Sequence, residues 1–436
     1  MATVDVRQST ALPPGSRLPA LVQTFLFLSM RRQFQLGLHR RYGDVFTTHL
    51  AGRRTVVTLT RPEHIREVFA GAPEVFHAGD GNAMLAAVMG DNSVLITDED
   101  VHRRARKLLM PAFNGAALRG YGELMTELAT ADAQRWPTGR AFPVHPRMNA
   151  VTLEIILRVV FGMADGDRLT ALRPAIRGIT DIGPLALLGW TYPKLERFWP
   201  WSRNKERLET ADALLYAEIT DRRAAGDLDD RDDVLSRLLS ASGGEMSDAE
   251  LRDQMMTLLL AGHETTATAL AWSFHELARR PDVQAKARQA ADNGDDDYLT
   301  AVAKEAMRRR PVIQNVGRML TEPTEVAGWR LPATTVVAPS ILIVQQDAEY
   351  YDDPDDFRPE RFIGKNPEAG TWIPFGGGVR RCLGAGFSLQ EAAAVLRAVL
   401  SRYELRAPRQ APEPSKPRNI TLVPGRGARI IAVPRS

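Results

Sequence analysis

The feature that most restricts this chain is a loop: Phe375-Gly376-Gly377-Gly378-Val379-Arg380-Arg381-Cys382-Leu383-Gly384. Three consecutive glycines permit a tight turn and a close approach of backbone to a ligand. An apolar-periodic helix follows, with Phe387, Leu389, Ala393, Leu396 and Leu400 at helical spacing, running to about Tyr403. Cys382 thus stands at a helix N-terminus, where free N–H groups and partial positive charge favour thiolate, the metal-binding form. Arg380 adds a cation two residues away. Cys382 is the only cysteine in 436 residues, so no intrachain disulfide and no Cys-x-x-Cys site can form, and a reducing compartment fits. The competing interpretation, a phosphate loop with an incidental cysteine, lacks the Lys-Ser/Thr ending of a P-loop.

A second segment predicts an unusually long helix. Ser247-Asp248-Ala249-Glu250 reads as a capping box. Leu251, Met255, Leu258 and Leu259 follow at helical spacing, and the pattern stops at Pro281, after Arg279-Arg280. That gives about thirty residues, where ~10–14 is average. Its centre is weak: Ala261-Gly262 has little bulk, and Gly262, Thr265 and Thr266 are poor helix formers. Threonine also bends helices by bonding their carbonyls. Close packing at a helix crossing explains the small residues equally well.

Together these segments resemble the cytochromes P450. The family's haem-binding pattern, Phe-x-x-Gly-x-Arg-x-Cys-x-Gly, matches at Phe375, Gly378, Arg380, Cys382 and Gly384, with Gly376 inside it. Its central-helix pattern, Ala/Gly-Gly-x-Asp/Glu-Thr-Thr/Ser, matches Ala261-Gly262-His263-Glu264-Thr265-Thr266. The resemblance implies a mainly α fold with a smaller β-rich part and a haem b between the central helix and the cysteine loop. It implies Cys382 thiolate as iron ligand, which favours O–O cleavage. Phe375 would pack beside the sulfur, and Ala261 and Gly262 would let the helix pass close to the haem. Thr265 would hydrogen-bond dioxygen or its water, and Glu264 would relay protons. His263, at the variable position, is expected to support the site from behind or to face solvent.

Further elements follow in the family's order. Glu305 and Arg308 form a Glu-x-x-Arg, and Phe357-Arg358-Pro359-Glu360-Arg361-Phe362 lies between it and Cys382; the resemblance implies a structural Glu305–Arg308–Arg361 network. Taken alone, such an i, i+3 pair is usually a surface pair worth little, and Arg309 or Arg310 leaves the register open. His102 and Arg106 share a helix face and, with Arg318 and Arg380, would contact haem propionates. Arg103, Arg104, Lys107 and Arg381 could form a basic face for an acidic electron-transfer partner. One departure stands out: Gln345-Gln346 precede Asp347, where many relatives have His or Arg.

The rest of the chain is that of an ordinary globular enzyme. A formal charge of +3 is too small and diffuse to suggest nucleic acid. The stretch Leu18–Met30, broken by Pro19 and Gln23, is too short to span a bilayer and lacks a signal-peptide layout. A buried helix is expected there, with rest on a membrane surface as the alternative. Residues 1–20 form a Pro-rich extended lead-in. Val45–Leu50 and Arg54–Thr60 read as a hairpin, Pro62-Glu63 as a helix start, and Thr335–Ala338 and Ile341–Val344 as short strands. The chain is expected to be one domain over residues 1–436, located in the cytoplasm, with helices dominating from about 116 to 280.

The implied reaction inserts one oxygen atom of O2 into a small-molecule substrate. Only 54 residues follow Cys382, and no Gly-x-Gly-x-x-Gly unit is present, so a separate ferredoxin or flavodoxin with an NAD(P)H-dependent reductase is expected. The segments Gly79–Val94 and Gly183–Trp201 resemble variable substrate-covering loops, the second rich in apolar residues, which suits a lipophilic substrate such as a fatty acid, terpenoid or steroid. A peroxygenase or isomerase typically loses the acid–alcohol pair kept here as Glu264-Thr265. A haem-binding sensor would have no need of it.

Overall fold

In the computed structural model, which describes residues 12–162, 166–180 and 193–435, the longest element is the helix Asp248–Leu277. Its capping box is complete: Ser247 Oγ accepts from Glu250 N–H (3.2 Å), and Glu250 Oε2 accepts from Ser247 N–H (2.8 Å). It ends at Leu277, and Pro281 opens the next helix, Pro281–Asn293. From residue 251 to 277 every side chain is buried except Leu260, Ala261, Gly262 and Thr265. A helix buried all round but open along one short stripe must border a cavity there.

Two helices wall this central one. His145–Phe161 crosses it at Gly262, where a Cβ would lie 3.1 Å from the Ile156 side chain. The small residue therefore serves a helix crossing. Thr152 and His145 stitch the crossing, bonding the His263 carbonyl (3.0 Å) and the Thr268 hydroxyl (3.2 Å). On another side, Thr266 Oγ1 donates to Ser388 Oγ (3.0 Å) of the helix Ala385–Leu400. That helix packs on Gly115–Ala133, with Phe387 edge-on to Tyr121 at 6.0 Å.

The β-rich part lies apart from this bundle. Its largest sheet runs Val45–Leu50, Arg54–Leu59, Val336–Pro339, Arg318–Leu320, Phe76–His77. The hairpin pairs Val45 with Leu59 and Leu50 with Arg54; Arg54–Leu59 then runs parallel to Val336–Pro339. Val57, Leu59, Leu320 and Val337 close a small core of their own. A three-stranded sheet joins Ala141–Pro143, Arg429–Pro434 and Tyr403–Arg406, and Ser415–Arg418 pairs with Thr421–Pro424 as a hairpin.

Three expectations are corrected. Ile341–Val344 is a short helix, capped by Ser340 Oγ and buried at all four positions. A four-residue apolar run buried on every side carries no period to tell strand from helix. The last helix starts at Ala385 and stops at Leu400, later and earlier than its apolar pattern suggests. The apolar stretch near the N-terminus is a helix, Ala20–Ser29, but among its residues only Gln23 is buried. Residues 181–192, the larger part of the expected loop Gly183–Trp201, lie outside the described residues.

Candidate active site

The cysteine loop is set by its neighbour Phe69. A Cβ on Gly377 would lie 2.2 Å from the Phe69 ring, and one on Gly378 would lie 2.1 Å from the Phe69 carbonyl oxygen. Gly376 and Gly378 also have φ of +66° and +64°, where a side chain is strained. The Cys382 N–H donates to the Phe375 carbonyl (2.9 Å) and closes the loop. Phe375 stands edge-on to Trp372 at 5.8 Å and packs with Leu389 and Met307.

Cys382 is accessible, yet protein atoms crowd its thiol, so it faces a cavity inside the protein. Burial pushes the thiol pKa up, and the Gly384 N–H, Arg106 and Arg381 only partly oppose that. The expected cation, Arg380, does not act on the sulfur. It donates to the carbonyls of Val94 (3.1 Å) and Thr97 (2.5 Å) and pairs with Asp98. The helix also begins three residues after the cysteine, so its N-terminal charge is farther off than the sequence suggests. A metal cation at the sulfur would supply what the chain alone does not: stabilisation of the thiolate.

Beside the thiol lies a group of basic side chains. His102 is buried and held neutral, pushed down to about 4 by burial and by Arg380 and Arg106. Arg318, buried over the Phe69 ring, is lowered to about 10 by burial and by Arg380. Arg106 faces Cys382 and Arg381. Among these residues Asp98 is the one carboxylate against three guanidiniums, which leaves room for two further anions. Arg380 has used three of its five N–H groups on Val94, Thr97 and Asp98, leaving Nε–H and one Nη1 hydrogen. A cleft of about 720 Å³ opens next to the group, lined by His102, Arg106, Lys107, Met110 and Val379.

On the central helix, Thr265 Oγ1 donates to the Ala261 carbonyl (2.8 Å), and both residues belong to the accessible stripe. Glu264 is buried and turned the other way. Its Oε1 lies 3.4 Å from Arg418 Nε and 3.4 Å from the Thr421 hydroxyl. His263 does not face solvent: it is buried, and its Nδ1–H donates to the Leu259 carbonyl (2.6 Å).

Glu305 and Arg308 are both fully buried and joined twice, at 2.7 and 2.9 Å. Arg361 Nε stands 3.5 Å from Glu305, and Arg358 N–H donates to the same carboxylate (2.9 Å). The register is thereby decided, since Arg309 and Arg310 turn to Glu276 instead. Gln345 joins this group: its carbonyl accepts from Arg308 (3.0 Å), and its side chain bridges Met307 O and Ile373 N–H. Of the four residues expected to form a basic face, Arg104 is taken by Glu250 at 2.8 Å and Arg103 by Asp100, while Lys107 and Arg381 stay exposed.

Two site residues escape the sequence reading. Asp98 holds the turn 78–80 through three backbone N–H groups besides pairing Arg380. Glu391 is fully buried against Thr266, with its carboxyl pKa raised well above the usual range by burial. A signal for it existed: it follows Phe387 by four residues on an otherwise apolar helix face.

The family description Cytochrome P450 matches residues 12–431. The chain belongs to the cytochrome P450 family. It is 48% identical over 431 residues to cytochrome P450 135B1 of Mycobacterium tuberculosis, covering 97% of this chain and 91% of that protein. To cytochrome P450 135A1 of the same species it is 47% identical over 433 residues, covering 98% and 96%. Among solved structures, a retinoic acid-bound cyanobacterial CYP120A1 shares the fold with a TM-score of 0.86 at 24% identity, over 97% of this chain and 99% of that one. The haem domain of cytochrome P450DA does so at 0.84, also at 24% identity, over 98% of each chain. The chain is thus a P450 monooxygenase, with the haem, dioxygen, redox partner and small-molecule substrate that the family implies. Its residues fit that cofactor: one accessible thiol in an internal cavity, an excess of buried cations beside it, and a bare stripe of helix. No helix among the described residues is long and apolar enough to cross a membrane.

Proposed function

We propose that this P450 hydroxylates or epoxidises a lipophilic small molecule, using haem b and electrons from a separate ferredoxin or flavodoxin with an NAD(P)H-dependent reductase. The observation that carries this reading is the stripe Leu260, Ala261, Gly262 and Thr265, the only accessible positions between 251 and 277. It presents one hydroxyl to a cavity, with a buried acid one residue away.

In this reading Cys382 ligates the iron, and Phe375, Gly376 and Gly384 shape the backbone around it. His102, Arg106, Arg318 and the two free N–H groups of Arg380 hold the propionates. Ala261, small and accessible, would leave room for the haem. When bound, the haem supplies activation of dioxygen, one atom entering the substrate and the other leaving as water. Thr265 keeps its oxygen lone pairs available while its proton is held by the Ala261 carbonyl, so it can accept a hydrogen bond at the cavity. Glu264 would hold a proton at its Oε1 on the Arg418 side of the helix, and would serve Thr265 only after turning from Arg418. The segment 79–94 lies across the first half of the central helix, through Asn92 to Asp253 (3.0 Å) and Val94 to Gln254 (3.1 Å), where it would cover the substrate. Lys107 and Arg381 offer an exposed basic surface to an acidic electron donor, in the cytoplasm.

The test is the absorption spectrum of the reduced protein with carbon monoxide, for the wild type and Cys382→Ser. A strongly red-shifted Soret band that the substitution abolishes is expected. Absence of haem uptake, or a band typical of histidine ligation, would overturn the reading. Turnover is then measured for Glu264→Gln and Thr265→Ala, and unchanged product formation in both would remove their assigned roles.

A further inference from the structure

The loop 407–414 is pinned at three places to the C-terminal end of the central helix. The Ala407 N–H donates to the Ala278 carbonyl (3.1 Å), Arg279 to the Arg409 carbonyl (3.2 Å), and the Glu413 N–H to His275 Nε2 (3.3 Å). Loop and helix enclose a cleft of about 140 Å³, walled by His275, Glu413, Arg409, Arg426 and Arg429. His275 follows Thr265 by ten residues, about 15 Å along the axis at ~1.5 Å per residue. The cleft is therefore no part of the candidate active site.

The cleft holds a donor in want of an acceptor. His275 is only 4% exposed and stands edge-on to Trp272 at 5.5 Å. Its Nε2 accepts from a backbone N–H, so the neutral ring carries its proton on Nδ1. That N–H meets no acceptor among the described residues. It is not sealed in the interior either, and the space that His275 lines is the cleft. Glu413 is the carboxylate at hand, yet its oxygens are turned to backbone. Oε2 accepts from the N–H groups of Arg426 (2.9 Å) and Ala428 (3.1 Å), and Oε1 from that of Arg429 (2.9 Å).

Charge and size say what the acceptor is. Three guanidiniums border the cleft against one carboxylate, an excess of two positive charges. Arg409 pairs with no carboxylate among the described residues, and Arg426 Nε is 4.0 Å from Glu413. Arg429 gives one nitrogen to the Ala141 carbonyl (2.9 Å). A metal cation is repelled here, and a single carboxylate would balance only half of the excess. A phosphate dianion balances it, and its oxygens can take the forked guanidinium bonds and the imidazole N–H together. The volume is well below the roughly 300–1,000 Å³ of sites for drug-sized ligands, which excludes a nucleotide. We propose that this cleft binds a phosphate group, free or at the end of a small monoester, and that the bound group ties the loop 407–414 to the central helix and to the segment 425–429.

The test titrates the full-length, haem-loaded protein calorimetrically with inorganic phosphate, glycerol 3-phosphate and chloride at constant ionic strength. Saturable binding of phosphate, and none of chloride, is expected. Tighter binding of glycerol 3-phosphate assigns the site to an ester, and tighter binding of inorganic phosphate to the free ion. Arg409→Gln/Arg426→Gln should weaken binding more than about tenfold, since two charge-assisted contacts are lost. Both side chains are exposed, so this double variant keeps its fold and its carbon monoxide spectrum. With nitrogen-15-labelled histidine, the Nδ1–H resonance that His275→Gln removes should move when phosphate is added, and should stay in place in the double variant. No saturable phosphate binding, equal affinity for chloride, or equal binding by the double variant overturns the proposal. So does phosphate binding that leaves the His275 resonance unmoved, because the anion would then sit on surface arginines alone.

Discussion

Glu264 Oε1 lies 3.4 Å from Arg418 Nε, so the acid next to Thr265 is tied to the hairpin 415–424 rather than aimed along the accessible stripe. Proton transfer from Glu264 then requires the carboxylate to leave Arg418 or to share its proton path with it. Arg418→Gln should retain full haem content but lower product formed per electron pair, with the balance appearing as peroxide. A drop of about tenfold is expected, less than the ~10²-fold for Glu264→Gln, because the acid itself remains. Product yield against NAD(P)H consumed measures this. Unchanged coupling in Arg418→Gln would make the ion pair purely structural.

Arg308 presents the opposite case, a charge whose role is to hold the fold. It is fully buried, bonded twice to Glu305 and donating to the carbonyls of Gln345, Pro354 and Asp356. Removing Arg308 leaves the buried Glu305 with only the longer Arg361 contact and the Arg358 N–H, and three carbonyls unmet, costing about 3–5 kcal/mol. Arg308→Ala should therefore unfold at a much lower urea midpoint or fail to take up haem. Arg361→Ala removes one longer contact at 3.5 Å and should cost much less. Equal midpoints for the two variants would contradict this ranking.

The sequence showed the chemistry better than the electrostatics. The capping box at Ser247, the hairpin at Val45 and the glycine loop at Phe375 depend on local spacing, and each has its expected form. What spacing does not contain is direction. Arg380 looked like the thiol's cation from two residues away, but its side chain is drawn to Asp98, distant in sequence. His263 gave no sign of burial, because its neighbours on the central helix are buried on nearly every side and no polar face marks the outside. The helix Ala20–Ser29 misled for a related reason: hydropathy reports what a helix would bury, not whether the protein or another phase does the burying.

Besides His102 at the candidate site, three histidines make the fold sensitive to acid. Burial pushes His145 down to about 3 and His263 and His275 to about 4, all below the unfolded value near 6.5. His145 Nε2 and His275 Nε2 act as acceptors, from Thr268 and Asn149 and from the Glu413 N–H, so protonation also breaks bonds. Above pH 6.5 neither state binds these protons, and their stabilising effect is fully present. As pH falls from 6.5 towards 4, the unfolded chain takes up protons that the folded one refuses. Stability should decline by about 1.4 kcal/mol per pH unit for each histidine. Urea midpoints between pH 7 and 4.5 should fall steeply, and His275→Gln should flatten the slope. A flat profile for the wild type would show that these imidazoles are not held neutral.

Two glycines of the haem-binding pattern should part company on substitution. Gly378 has φ +64°, and its Cβ would meet the Phe69 carbonyl at 2.1 Å, so the polypeptide itself forbids a side chain there. Gly384 has φ −84°, and a Cβ on it would meet no protein atom within 4 Å. Gly378→Ala should therefore destabilise the cofactor-free chain by more than about 2 kcal/mol, through backbone strain and displacement of Phe69. Gly384→Ala should leave the cofactor-free chain within about 0.5 kcal/mol of wild type, as a surface-like change does. If Gly384 is small for the sake of the haem, its alanine variant will fold normally and yet retain haem poorly. Measuring urea midpoints without haem, and the rate of haem transfer to apomyoglobin with it, separates the two effects. A Gly384→Ala protein that holds haem as tightly as wild type would show that neither the chain nor the cofactor requires a glycine there.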